Sequence, residues 1–564
     1  MEILLVSYGS MGDVRPLLAL GLALRERGAH VRVCAPPDSR PLFTAAGIPF
    51  APLGGNVRQL MDARADRFVG RPLAAMAPMT RTLRQELAIQ FRQLPEAVKS
   101  ADMVIGSGLA LAVPSVAEAC GVPYRYAFSI PALLPSRDHA PVTVPWQNLP
   151  PLCNRALWRL ADGLLDLGYR VILNGYRRGL GLPALDHVMP HLTANLIVAA
   201  DKELAPLPPE APSDCRQTGY WHAPRKDPLP AAIEAFIDQG PRPIYIGFGS
   251  MGDPTPRQTV SRLRQAVGLA GVRAIVQSGW AGWSFESDAN CLCVAGDLPH
   301  ERLFSRVAGV VHHGGSGTVM AAARAGVPQV IIPHLLDQYY WGQRVVTLGI
   351  GPSPLPINRL TAQTLARSLR RMLASPGMRA RAGILAKPLS RRDGARQAAR
   401  PLARPATEAG AASERLETVD RLVLERRAQL RDVRPPAEGD RGQVGRDRLD
   451  ERLSEEEREA HAEQHQRDAD RDVLPGDGSR GQFIGLYDPF VISVVSIGGD
   501  HGERIDEMSA PAPDSLAEEW IESRADRERE ALVEGKEGEG EADQRGVVQV
   551  ACLGAAAHHR VGHE

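Results

Sequence analysis

The sequence predicts an α/β protein of two parallel-sheet domains followed by a charged segment of low order. Three observations carry that prediction. Short apolar runs ending in glycine or serine alternate with helix-patterned stretches through roughly the first 400 residues, the rhythm of parallel sheets covered by helices. A proline-dense stretch divides the series into two. Near Arg400 the apolar periodicity stops.

Bulk properties agree. A chain of 564 residues exceeds what one core serves, and 44% apolar residues supply material for two. Basic and acidic residues balance at 66 each, with a pI near 7.3, which argues against a nucleic-acid binder. MEILLVSYGS has no basic leader and too short an apolar run for a signal peptide. No apolar stretch of roughly 18 residues occurs, so a cytoplasmic location with at most peripheral membrane contact is expected. Of seven scattered cysteines, Cys291 and Cys293 have one residue between them where a zinc hook has two to four; reduced thiols are expected, with no metal and no cofactor.

The elements follow in order. EILLVSYG is a buried strand by its unbroken apolar run. The loop SMGDVRP leads into LLALGLALRERGAH, helical by its leucine spacing and closed by Gly28, and HVRVCAPP is the second strand. Open parallel sheets bind ligands outside the carboxyl ends of their strands, so the loop from Gly9 to Pro16 lies where chemistry belongs. ADMVIGSG, LAVPSVAEACG and VPYRYAFS repeat the pattern. The stretch from Asp62 to Arg92 reads as polar helix, with Met76 and Met79 as core packing rather than an apolar acceptor wall. ELAPLPPEAPSD, APRKDPLP and GPRP read as an extended connection. The second series comprises the strands RPIYIGFGS, VRAIVQSG, CLCVAG, AGVVHH and VPQVIIP, with QTVSRLRQAVGLAG and VMAAARAG as helices. The expected domains are therefore 1–205 and 243–400, joined by a linker over 206–242 and followed by a tail over 401–564.

Polar chemistry concentrates between Val311 and Gln338, VHHGGSGTVMAAARAGVPQVIIPHLLDQ. Glycines in a strand-to-helix turn let main-chain amides converge, and the helix N-terminus adds partial positive charge, so the turn suits a diphosphate. His313 adds an imidazole donor, and Ser316 and Thr318 add hydroxyls. Such turns are common alone. Here the next strand also delivers Asp337 and Gln338 to the same sheet edge, where an acid and an amide together can grip neighbouring hydroxyls. A diphosphate site beside a polyol site describes a nucleotide sugar. His312 faces the opposite way along its strand and reads as packing.

These residues carry a resemblance. HHGGSGTVMAAARAGVPQVIIPHLLDQ resembles the donor-binding signature of family-1 glycosyltransferases, and GSMGDVRPLLALGLAL resembles their N-terminal loop and helix. PLGGN at Pro52 to Asn56 and GFGSM at Gly247 to Met251 are similar to the bacterial antibiotic glycosyltransferases and the sterol glucosyltransferases. The resemblance implies a GT-B fold, two Rossmann-like domains facing across a cleft, with the donor on the C-terminal domain and the acceptor mainly on the N-terminal one. By position it implies that His313, Gly314, Gly315, Ser316, Gly317 and Thr318 hold the diphosphate. Asp337 and Gln338 would hold the sugar. Gly249, Ser250, Ser278, Trp280 and Leu298 would line the nucleoside side, with Trp280 open between base stacking and packing. Asp297 stands where the plant branch has a stacking tryptophan, which leaves UDP and dTDP donors open, and Met11 stands where many relatives have arginine.

GDVRP puts Asp13 where many plant members carry a basic histidine. A carboxylate with a reference pKa of about 4 is ionised at neutral pH and can take the proton of an acceptor hydroxyl. The implied activity is transfer, with inversion, of a hexose from a UDP- or dTDP-sugar to a lipophilic acceptor of sterol, macrolide, glycopeptide or lipid type. Glucose is the default sugar, and the glycine turn replaces a metal at the leaving group. The competing use of Asp13 is to cap a helix beginning at Arg15 or Pro16. The alternatives for the chain are a non-catalytic nucleotide-sugar-binding protein or a transferase inactivated at its C-terminus.

After Arg400 a mixed-charge run with few large apolar residues reads as disordered or loosely helical, with Asp468 and Asp470 as solvated charge. FIGLYDPFVISVVSIGG could form a lone strand. The resemblance ends near GARQAARPLARP, where relatives place a helix that crosses back onto the N-terminal domain. A truncated closing helix would weaken interdomain packing.

Overall fold

A computed structural model describes residues 1–62, 76–223, 225 and 227–402. The expectations for the tail and for the Met76 and Met79 side chains lie outside the described residues.

The first sheet holds β1 (Glu2–Tyr8), β2 (His30–Ala35), β3 (Phe50–Pro52), β4 (Met103–Gly108), β5 (Tyr124–Phe128), β6 (Leu196–Val198) and β7 (Arg216–Gln217). All pairs are parallel, in the order β3-β2-β1-β4-β5-β6-β7. The second holds β8 (Ile244–Gly247), β9 (Ala274–Gln277), β10 (Cys291–Val294), β11 (Gly309–His312) and β12 (Gln329–Ile331), parallel in the order β10-β9-β8-β11-β12. The strand order reverses between β1 and β4 in one sheet and between β8 and β11 in the other. Crossover helices leave opposite faces at such a switch point and open a crevice at the strands' carboxyl ends. The segments after β1 and β11, which carry Asp13 and His313, stand at these two points.

The helix after β1, α1 (Met11–Arg25), begins earlier than its leucine pattern suggests. Ser10 and Asp13 form a capping box: Ser10 Oγ accepts from Gly12 N at 3.3 Å and Asp13 Oδ2 from Ser10 N at 3.0 Å. That reciprocal pairing starts the helix ahead of Pro16, which sits in the second turn. Asp13 is thus the third helical residue, not the N-cap.

Helix α2 (Val113–Cys120) covers β4, whereas α3 (Pro151–Leu165) and α4 (Val171–Gly179) run on through one π-helical turn. Within the proline-dense stretch, β7 pairs with β6, and α5 (Ala231–Asp238) buries Ile233, Phe236 and Ile237 in the second domain's core. The connection is therefore not extended throughout 206–242. Apolar residues at helical spacing in AAIEAFID outweigh the surrounding prolines. In the second domain, α6 (Pro256–Ala270) joins β8 to β9, α7 (Ser316–Arg324) follows β11, and α8 (Gln338–Thr347) follows β12.

Helix α9 (Gly394–Leu402) returns to the first domain, where Ala395, Ala398, Ala399 and Leu402 join the buried cluster of Leu17, Leu20 and Leu24 from α1. The small face of GARQAARPL lets two helices approach closely, so the closing helix does form. A further apolar cluster is shared between the halves: Tyr126, Ile130 and Leu204 pack with Val319, Trp341 and Ile350. Arg344 Nε also donates to Leu204 O at 2.8 Å.

Candidate functional site

Two glycines seat Asp13. A Cβ on Gly9 would stand 2.3 Å from Asp13 Oδ2, and a Cβ on Gly108, at φ +63°, would stand 2.6 Å from Tyr8 O and 3.4 Å from Asp13 Cβ. The close approach of β1 and β4 tucks the carboxylate into the crevice. Ser10 donates to Oδ2 from its amide, and its hydroxyl lies 3.4 Å from the same oxygen. Burial pushes the pKa up to about 6 against the pull of these bonds. A narrow crevice, open to solvent, is lined by Asp13, Ser107, Phe128, Ser129 and Trp221, among others.

Across the cleft β11 delivers the two histidines. His312 is buried; its Nδ1 accepts from Gly314 N at 3.2 Å, so the proton sits on Nε2, which donates to Gln329 Oε1 at 2.9 Å. The ring ties the glycine turn to β12, a packing role. His313 lies between two glycines: a Cβ on Gly249 would stand 2.9 Å from its Cε1, and one on Gly315 would stand 2.3 Å from its Nε2. Its Nδ1 is buried without a partner among the described residues. Burial, then His312, His334 and His300, hold its pKa well below the usual histidine range, so the ring is neutral.

Gly314 takes φ +95°, where a Cβ would meet Ile331 and the Gln338 main chain, so the turn is built for glycine. Gly315 is the N-cap of α7, and no side chain caps the helix. Thr318 N and Val319 N bond Gly315 O at 3.0 and 3.1 Å, leaving the Ser316 and Gly317 amides at the open end. Ser316 Oγ donates to Ser129 Oγ of the first domain at 3.0 Å.

After β12 the chain passes through Leu336, at φ +48°, and places Asp337 at the N-cap of α8. Burial, then the charge of Asp13, pushes the Asp337 pKa up to about 7. The Trp341 indole lies close enough to favour the carboxylate, yet its Nε1 makes no hydrogen bond of standard geometry. Gln338 is committed to the loop: its Oε1 accepts from His334 N at 2.7 Å and Leu335 N at 3.2 Å, and its Nε2 donates to Met251 Sδ at 3.3 Å.

On the remaining side, Trp280 N donates to Gly249 O at 3.0 Å, docking the SGW turn on the loop that carries Gly249 and Ser250. Ser278 anchors that turn through its amide to Val294 O at 2.9 Å. The Trp280 ring faces the Arg58 guanidinium of the first domain at 5.8 Å. Asp297 pairs with Arg15 of α1 and, at 2.7 Å, with Arg225. Leu298 is buried in the second core with Phe304 and Tyr245.

Residues 3–135 match the glycosyltransferase family 28 N-terminal domain, and residues 289–394 match the erythromycin biosynthesis protein CIII-like C-terminal domain. The chain is 39% identical over 397 residues to glycosyltransferase GtfE of Amycolatopsis orientalis, covering 68% of this chain and 93% of that protein. It is 38% identical over 411 residues to the vancomycin aglycone glucosyltransferase of the same organism, covering 71% and 97%. The chain belongs to the GT-B glycosyltransferases. Its fold matches the spinosyn rhamnosyltransferase SpnG complexed with thymidine diphosphate, with a TM-score of 0.52 and 18% identity over 72% of this chain and all of that one.

In this nucleotide-sugar-dependent glycosyltransferase the fold brings Asp13, the 313–318 turn and Asp337 to one cleft. It does not bring the Leu298 side chain there, because apolar burial claims it, and any Leu298 contact with a nucleoside would be through its main chain. The Gln338 amide holds its own loop in this structure. Sequence reasoning missed Ser129, Arg15 and Arg225. Ser129 had a signal, as the last residue of VPYRYAFS at a strand's carboxyl end. The Arg15–Asp297–Arg225 pairing joins residues far apart in sequence and leaves none.

Proposed function

We propose that this glycosyltransferase moves a hexose, glucose by default, from a UDP- or dTDP-sugar to a hydroxyl of a lipophilic acceptor by a single inverting displacement. One observation carries the proposal: Asp13 from one domain and Asp337 from the other share the cleft closely enough for the charge of Asp13 to raise the pKa of Asp337. A sugar between them meets a base on one side and a hydroxyl-binding acid on the other.

Asp13 takes the acceptor's proton on Oδ1, since the bonds from Ser10 use Oδ2. The acceptor oxygen bonds to the anomeric carbon as the bond to the diphosphate oxygen breaks. The electron pair stays on the diphosphate, facing the amides of Ser316 and Gly317 and the neutral His313 ring, which holds a donor in place without a competing charge. Asp337 binds sugar hydroxyls, and Trp280 with the Gly249–Ser250 loop borders the nucleoside. The named relative acts on an aglycone, and the SpnG structure holds thymidine diphosphate; both support a small-molecule acceptor and a nucleotide-linked donor.

The test incubates the full chain with UDP-glucose or dTDP-glucose and a panel of hydroxylated lipophilic acceptors, reading product mass and anomeric configuration. Asp13→Asn, which keeps a cap acceptor, is expected to lose about a hundredfold to ten-thousandfold in kcat with donor affinity unchanged. Wild-type turnover in that variant, or a product of retained configuration, refutes the mechanism. Donor binding by the wild type without any turnover would mark a binding protein instead.

A further inference from the structure

The continuous helix formed by α3, the π turn and α4 turns an unusual face to solvent. Four large aliphatic side chains stand on it, Leu152, Leu160, Leu167 and Val171, and Trp146 precedes it; their exposures run from 47% to 76%. Single exposed leucines need no explanation, but a row of them along a helix of about 40 Å does. Every exposed charged residue of the same helix is an arginine: Arg155, Arg159, Arg170 and Arg178. Among the described residues no carboxylate pairs with Arg155, Arg159 or Arg178. The helix's two acids, Asp162 and Asp166, are half-buried, and Asp166 is already engaged, accepting from Val188 N at 2.8 Å and contacting His187.

We propose that this face docks on an anionic lipid surface. Aliphatic and indole groups enter the boundary between headgroups and acyl chains while arginines meet lipid phosphates, the chemistry of a helix lying in the membrane plane. The charge pattern selects this occupant: an acidic protein would match the arginines but not a row of exposed aliphatics, and a second copy would bring the same arginines face to face. No described helix is long and apolar enough to cross a membrane, so attachment is peripheral. Trp158 of α3 donates to His139 O at 3.0 Å, and the His139 ring meets the Tyr340 ring of α8 edge-on at 5.4 Å. A docked helix therefore holds the cleft near the bilayer, where a lipid-dissolved hydroxyl would enter it.

The test is sedimentation of the full chain with vesicles of equal parts phosphatidylglycerol and phosphatidylcholine, and with phosphatidylcholine alone, at low and high salt. Binding is expected to the mixed vesicles, to fall with salt and to be weak on the neutral ones. Arg155→Ala with Arg159→Ala is expected to weaken binding about fivefold per arginine. Leu160→Asp with Val171→Asp is expected to abolish it, with thermal melting unchanged. No sedimentation with mixed vesicles overturns the proposal, as does equal binding by both variants. A wild-type dimer that the variants dissociate, without vesicle binding, would assign the face to a second copy and also overturn it.

Discussion

Asp13 is held by the conflict between two demands on one carboxylate. Its bonds to Ser10 favour the charged form and start α1, while burial in the crevice favours the neutral form and wins, placing the group at about 6. A base must be ionised to work, so kcat/KM is expected to rise with pH through about 6 and level above 7 in a pH–rate profile. Asp337, at about 7, couples to it, and the apparent steps belong to the pair. The folded pKa of Asp337 exceeds its unfolded value, so over about pH 4 to 7 the unfolded chain binds fewer protons. Stability from this group is present below about pH 4 and is lost as pH rises through 7. Asp337→Asn is therefore expected to stabilise the ligand-free protein by on the order of 1–3 kcal/mol at pH 8 and by almost nothing at pH 4, read by denaturant melts. Equal destabilisation at both pH values would contradict this. The acids were visible in the sequence as residue types in turns; their altered acidity was not, because it comes from burial in the folded protein and, for Asp337, from the charge of Asp13 across the cleft.

At the scale of elements, α9 and the turn before it lock the second domain to the first. Arg392 pairs with fully buried Asp201 at 2.9 Å and with Glu203 at 2.8 Å, and Arg396 pairs with Glu26, the C-cap of α1, at 2.9 Å. The Arg396 pair is exposed and contributes little. Arg392 is different, since removing it strands the Asp201 carboxylate, whose Oδ2 already lacks a partner. Arg392→Ala is expected to cost about 2–4 kcal/mol in chemical denaturation, whereas Arg396→Ala changes it by less than about 1 kcal/mol. Most strands were legible because unbroken apolar runs ending in glycine have few other solutions. The start of α1 was not, because Pro16 argues for a later beginning and the Ser10–Asp13 box overrides it. Helix α5 was hidden among prolines although Ile233, Phe236 and Ile237 carried its spacing.

For the whole molecule, the described core clusters, the apolar cluster shared between the halves and α9 all lie within residues 1–402. A chain ending at Leu402 is expected to keep the donor affinity and transfer rate of the full chain, and one ending at Asp393 to melt lower and lose most activity, compared by calorimetry and turnover. Loss of activity in the first would give residues 403–564 a part in the reaction.

The sequence by itself determined the fold class, the two sheets and the residue types at their carboxyl edges, because periodicity and glycine turns are local properties. It also put Asp13 and Asp337 on the segments that follow the carboxyl ends of β1 and β12. Only the tertiary structure decided that they face each other, that Leu298 belongs to the core and that Arg15, Arg225 and Asp297 meet. Each of those outcomes depends on how one domain closes on the other or on which apolar surface is buried first, and neither is encoded in any short window of residues.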